Sequence, residues 1–289
     1  LAARITFEQG GNEARYTNSG IIRAAEGHEI EFQAGTWTNY EGTTPGVIEA
    51  QPGATISFLG THIDGGILRS LADIEPPLGG VTEPDGILEI FAGDGQKLTN
   101  VRIEGAIGTD NSDIGLGGVI DNTGSLEAAR FRIVDDTELR GGGQVIVRGH
   151  IERTFDDNNG PITLTNVDNE IRLDNASIQI FQPEFNMTNH GTVVAVQGQS
   201  SFLDGTILNA GLLKAETNAE LQAGTIFCEP TFGGSALVHA DAEATVFANV
   251  IVGGRITTAP PDDPGGTGGL VQVNGGIQDV HIEGNVEVL

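Results

Sequence analysis

The chain has almost no sulfur and few large aromatics, with one Cys, one Met, one Trp and two Tyr in 289 residues. A single cysteine excludes an internal disulfide, so the core must hold without that staple. Cys228, in Thr225-Ile-Phe-Cys228, reads as a buried thiol. Positive charge is scarce as well: 14 Lys and Arg face 40 Asp and Glu, a net charge of −26. Nucleic acid is excluded as a partner, because binding it requires the opposite sign, and anionic lipid is excluded for the same reason. No segment approaches the roughly 18 apolar residues of a membrane span, so no membrane insertion is expected. The histidines (His28, His62, His150, His190, His239 and His281) are scattered, with no His-x-x-x-His spacing for a metal. Nucleophile elbow, phosphate loop and dinucleotide fingerprint are all missing. Collagen is excluded because Gly does not recur at every third position and Pro numbers only 11. There is no initiating Met and the first residues already read as strand, so the chain reads as a processed or excised piece of a longer protein.

What is present is glycine, at 43 residues, in a chain that is 38% hydrophobic and rich in Thr, Val, Ile and Asn. Glycine is costly inside helices and the β-branched residues favour strands. One motif recurs, Asn-x-Gly-x-apolar-x-Ala. It stands at Asn18-Ser-Gly20-Ile-Ile22-Arg-Ala24, Asn122-Thr-Gly124-Ser-Leu126-Glu-Ala128, Asn189-His-Gly191-Thr-Val193-Val-Ala195 and Asn209-Ala-Gly211-Leu-Leu213-Lys-Ala215. A copy without the Asn is Gly46-Val-Ile48-Glu-Ala50. Three residues after the Ala comes a turn residue (Gly27, Gly53, Gly198 or Asn218), then an alternating strand such as Ile30-Glu-Phe32 or Ile56-Ser-Phe58. A Gly-Thr pair then closes the unit at Gly35-Thr36, Gly60-Thr61, Gly205-Thr206 and Gly224-Thr225.

One unit is therefore three short strands separated by three turn signals, with no long helix between them. Such a chain coils, each turn laying its strands parallel on those of the turn before. The expected fold is all-β: a right-handed parallel β-helix (β-solenoid) of three short strands per coil, one domain over 1–289. At about 23 residues per coil this gives about 12 coils, a rod on the order of 60 Å long at the usual strand spacing. The segment 125–140 also permits a helix, but the repeat register through Ala128 favours strand. The insertions 71–84, 108–118, 155–161 and 260–269, rich in Gly, Pro, Asp and Asn, read as loops.

Side-chain parity assigns roles within the motif. Ile22 and Ala24 face inward, and Arg23 with its equivalents Glu49, Glu127 and Lys214 faces solvent. The asparagines Asn18, Asn39, Asn122, Asn189 and Asn209 form a structural stack, each amide donating to and accepting from its neighbours. The glycines supply the positive φ of the turns.

For chemistry, calcium is the one cofactor suggested. Asp110 and Asp113 in Asp110-Asn-Ser-Asp113, with Asp156 and Asp157 in Asp156-Asp-Asn-Asn159, form oxygen-rich loops of the kind that coordinate it. The catalytic alternative is a polysaccharide lyase or glycoside hydrolase, which needs carboxyls at a set spacing. Asp135-Asp136 followed by Gly149-His150 faintly resembles polygalacturonase-type enzymes, without their Asn-x-Asp before or Arg-x-Lys after. The expectation is that the chain is not an enzyme.

The Asn-x-Gly-x-apolar-x-Ala units with Gly-Thr turns resemble the β-helical passengers of bacterial autotransporters and related giant adhesins or filament subunits, most closely over 18–68 and 185–227. The resemblance implies secretion to the cell surface and a structural or adhesive role, with surface glycans or host matrix as partners. It supplies no catalytic residues. Neither Ala3-Arg-Ile-Thr-Phe7 nor Asn285-Val-Glu-Val-Leu289 reads as a cap, so either the chain is a slice of a longer solenoid or copies associate end to end into a filament, a further copy being the expected partner.

Overall fold

The computed structural model describes residues 4–7, 15–72, 85–90, 96–108, 111–154, 160–180, 184–228, 236–261 and 266–289. Among them no helix occurs, and parallel strands stack as a β-solenoid of about 10 turns. A uniform repeat would give about 12, but the coils are unequal. The step from Asn189 to Asn209 takes 20 residues, from Arg23 to Glu49 takes 26, and from Arg69 to Glu104 takes 35. The segment Ser125–Arg140 is extended throughout. Contacts divide the chain into two compact units, Leu1–Arg132 with Arg140–Gln144, and Ile133–Leu139 with Val145–Leu289.

The first unit has three columns of short strands. One runs Arg4–Phe7, Glu29–Gln33, Thr55–Leu59, Ile87–Ile90 and Ala106–Gly108. A second runs Arg15–Thr17, Thr36–Thr38, His62–Asp64 and Lys97–Thr99. The third runs Ile21–Ala24, Val47–Ala50, Ile67–Ser70 and Arg102–Glu104. Parallel registry with a two-residue period places like above like. Phe7, Phe32 and Phe58 are in register, and their rings stack with centroids 5.2 and 5.1 Å apart. Tyr16 stacks on Trp37 at 4.4 Å. Ile22, Ile48, Leu68 and Ile103 line the third column, the last three fully buried.

In this unit the motif copies do not all share a column: the one at Gly46 pairs with the one at Asn18, but the one at Asn122 does not. The copy at Asn18 leads into the third column. The copy at Asn122 leads into the first, where Leu126 pairs with Ile107, while Asn122 itself sits over Ile103 in the third. Local sequence records a corner without recording which one.

The second unit uses longer strands. One column runs Glu170–Leu173, Thr192–Ala195, Leu212–Ala215, Leu237–Ala240, Arg255–Thr258 and His281–Glu283. Its interior holds Val193, Leu213, Val238 and Ile256 beside Ala195, Ala215 and Ala240, all fully buried. Elsewhere two faces merge into one continuous strand, as in Ser200–Asn209, Glu220–Cys228 and Thr245–Val252. The bend is a register shift between Leu203 and Thr206. Gly205, at φ +103°, makes that corner without ending the strand.

The motif glycine works differently from the expectation. Positive φ falls on the later turn residues, Gly27, Gly53, Gly198 and Asn218, and not on Gly46 or Gly211. A Cβ on Gly46 would lie 2.3 Å from the Asn18 carbonyl and 2.4 Å from Asn39 Oδ1; one on Gly211 would lie 2.0 Å from the Gly191 carbonyl. The motif needs glycine because successive corners touch there.

Candidate functional site

Of the positions singled out in the sequence, the asparagines are the most tightly organised. In the second unit Asn166, Asn189 and Asn209 are in register and wholly buried. Asn166 Nδ2 donates to Asn189 Oδ1 at 2.8 Å, and Asn189 Nδ2 to Asn209 Oδ1 at 2.8 Å. Asn209 Nδ2 ends the run on Cys228 Sγ at 3.9 Å. Each amide also reaches carbonyls at its corner: Asn169 and Thr192 for Asn166, Gly191 and Leu212 for Asn189, Gly211 and Leu237 for Asn209. Burial pushes the Cys228 thiol above its ordinary pKa, and the bond from Asn209 works against that. The thiol is a soft, protonated acceptor.

In the first unit the run is shorter. Asn18 Nδ2 donates to Asn39 Oδ1 at 2.7 Å, and Gly20 N–H returns a bond to Asn18 Oδ1 at 3.1 Å. Asn122 donates to the Gln144 carbonyl and accepts from Gly124 N–H. Asn166 belongs to the ladder but lacks the following Gly of the motif. Its spacing to Asn189 and its place at a strand end, Thr163-Leu-Thr-Asn166, were the signals that would have found it.

The outward faces carry ion ladders. Arg23, Glu49, Arg69 and Glu104 are in register on successive coils. Arg23 Nε meets Glu49 at 2.5 Å, Arg69 meets Glu49 at 3.2 Å and Glu104 at 2.5 Å. Glu49, expected to face solvent, has only 4% of its side chain exposed, because the two arginines lie over it. Arg69 is held charged chiefly by its hydrogen bond to Glu104. In the second unit Lys214 and His239 both meet Asp241, at 2.7 and 3.0 Å, and His239 Nδ1 lies 2.7 Å from Thr257 Oγ1.

Of the calcium candidates, Asp110, Asp156 and Asp157 lie outside the described residues. Asp113 faces Arg130 at 3.6 Å and Arg132 at 2.8 Å. Two guanidinium groups already answer its charge, which weighs against a cation there. Among the described residues no group of three or more His, Cys, Asp and Glu is placed to hold a metal. The Asp-Asp/Gly-His pattern resolves into separate contacts. Asp136 accepts the Thr163 N–H at 2.8 Å, and His150 Nδ1 lies 2.9 Å from Ser177 Oγ and 3.4 Å from Gln179 Nε2.

A groove was not anticipated from the sequence. It lies on the second unit and encloses about 590 Å³ at the bend of the long strands, where Asp204, Glu220, Gln222 and Asn249 converge with Phe202 and Phe247. Phe202, Gln222 and Phe247 are in register on three successive strands. Phe202 is 38% exposed. The signal was an aromatic at an outward position, which alternation assigns to polar residues.

Comparison with protein-family models, curated proteins and solved structures finds no match to this chain. The fold defines the class, a β-solenoid. No helix among the described residues is long and apolar enough to cross a membrane.

Proposed function

We propose that the chain is a non-catalytic structural or adhesive β-solenoid, displayed outside the cell on a surface of the bacterial type that its repeats resemble. The observation that carries this reading is the use of its buried polar side chains. Asn166, Asn189 and Asn209 bond to the coil above or below, as does Glu49 between its two arginines. Ladders of this kind hold successive coils in one register, which suits a load-bearing or display element. A net charge of −26 keeps such a surface hydrated and soluble in salt.

End-to-end association is part of the proposal. Inward-column residues of the outermost described strands are the ones left open: Ile5 is 55% exposed, Ile282 44% and Val288 59%, whereas Ile30, Ile256 and Val273 in the same columns are buried. A further coil laid on either face, from a second copy or from a continuation of the same polypeptide, would cover them.

The rival reading, a carbohydrate-active enzyme, draws on one observation: two carboxylates, Asp204 and Glu220, share a groove. Incubation with a panel of plant, microbial and animal polysaccharides separates the two. The proposal expects attachment of the protein to a coated surface with no release of reducing or unsaturated ends. Chain cleavage above the buffer rate would overturn it. Sedimentation over a hundredfold range of concentration tests the association, for which growing species are expected.

A further inference from the structure

The groove on the second unit has a composition that chooses its ligand. We infer that it binds a neutral oligosaccharide, with sugar rings stacked on Phe202 and Phe247 and hydroxyl groups hydrogen-bonded to the polar side chains between them. This deepens the adhesive reading and rests on it.

Three features carry the inference. First, the register Phe202–Gln222–Phe247 sets two aromatic platforms two strand steps apart, roughly 9.6 Å, the span of a disaccharide, with an amide midway. The face of a pyranose ring is a sheet of C–H groups carrying slight positive charge, and it lies well on the negative face of an aromatic ring. Second, the polar lining suits hydroxyl groups. Gln222 donates to Glu220, which fixes both side chains, and Asp204 and Asn249 add a carboxylate and an amide. Carboxylates accept from sugar hydroxyls, and amides both donate and accept. Third, the charge is one-sided. No Lys, Arg or His is among the described residues lining the groove, so a uronate, sulfated or phosphorylated chain would meet the repulsion of its carboxylates. The volume, about 590 Å³, lies within the usual range for small-ligand sites.

The test is calorimetric titration of the full chain with cellohexaose, mannohexaose and chitohexaose, with polygalacturonate as the acidic comparator. At least one neutral hexaose is expected to bind. The double variant Phe202→Ala/Phe247→Ala should weaken that binding at least tenfold. Phe227→Ala, which alters an exposed aromatic outside the groove, should leave it unchanged. If the double variant fails to fold by circular dichroism, Gln222→Arg serves in its place, and should weaken the neutral hexaose while raising binding of polygalacturonate. The inference is overturned if none of the three hexaoses binds, if the groove variants bind as well as the parent, or if the parent prefers polygalacturonate. Chromatography of the hexaose after the titration separates this outcome from the wider reading. Shortened products would sink the non-catalytic function and leave the site standing, whereas surface attachment without hexaose binding would sink the site alone.

Discussion

The two units solve one problem with different materials. A parallel coil stacks identical positions, so each interior column must tolerate its own kind as neighbour. In the first unit two columns carry aromatics, Phe7 on Phe32 on Phe58 in one and Tyr16 on Trp37 in the next, and the outward face of the third is tied by alternating Arg and Glu. In the second, one column is lined with Val, Leu, Ile and Ala, and beside outward contacts such as Lys214 with Asp241 a wholly buried tie runs inside as the Asn166–Asn189–Asn209 ladder. Rings stack without directional demand, whereas an amide must find both a donor and an acceptor. The first unit is thus held by area and the second by hydrogen-bond satisfaction, and each should fail in its own way.

The largest effect expected is from Phe32→Ala. Phe32 is fully buried between two rings, and its removal should cost about 3–5 kcal/mol. The measurement is denaturant unfolding, with hydrogen exchange showing protection lost first in Glu29–Gln33 and Thr55–Leu59. Asn189→Ala comes next. It takes one acceptor from Asn166 Nδ2, which keeps its corner carbonyls, and removes the amide donor of Asn209 Oδ1 in the interior, at about 2–3 kcal/mol. Asn18→Ala, at a partly exposed corner, should cost under about 1 kcal/mol, and equal losses in the two variants would refute the contrast between a buried and a partly exposed ladder.

Glu49→Gln tests the outer tie of the first unit. It leaves Arg23 and Arg69 facing a neutral amide, and because both arginines are partly exposed and Arg69 keeps Glu104 the loss should be only about 1 kcal/mol and shrink in high salt. A loss insensitive to salt would show that packing, not charge, holds that face.

The smallest effect is a pH dependence at His62. Burial, with some help from Lys97 and against the pull of Asp64, lowers its pKa below the ordinary 6.5. The unfolded imidazole therefore takes its proton first as pH falls. The contribution of His62 to stability is full above pH 6.5 and declines as the pH drops from there through the depressed folded value. His62→Gln should flatten the acid limb of the stability curve. An NMR titration of His62 with its midpoint at or above 6.5 would contradict this.

Much of the coil was legible because its signals are local. The turn after each Ala, the alternating strand and the Gly-Thr corner each follow from parity and backbone freedom, and Leu221-Gln-Ala223 or Ile56-Ser-Phe58 announces its own orientation. What escaped was set by register between coils. Glu49 reads as a solvent residue until Arg23 and Arg69 are placed on either side of it. The motif at Asn122 matches that at Asn18 letter for letter in its fixed positions, yet the two feed different columns, since nothing in a corner motif says which corner it occupies. Asn166 lacked the flanking glycine that made its partners visible. The groove depends on Phe202, Gln222 and Phe247 meeting across three strands, and spacing along the chain does not show this when coils differ in length.

The carboxamide run has a direction. From Asn18 to Asn39, and again from Asn166 through Asn189 to Asn209, each amide-to-amide bond has its donor on the earlier coil and its acceptor on the later one. Aligned amides polarise one another, and the two faces of such a run differ: one offers protons, the other lone pairs. A coil joined in the same sense extends the polarity, and a coil joined in reverse sets donor against donor. Winding of this kind therefore distinguishes its two ways along the axis.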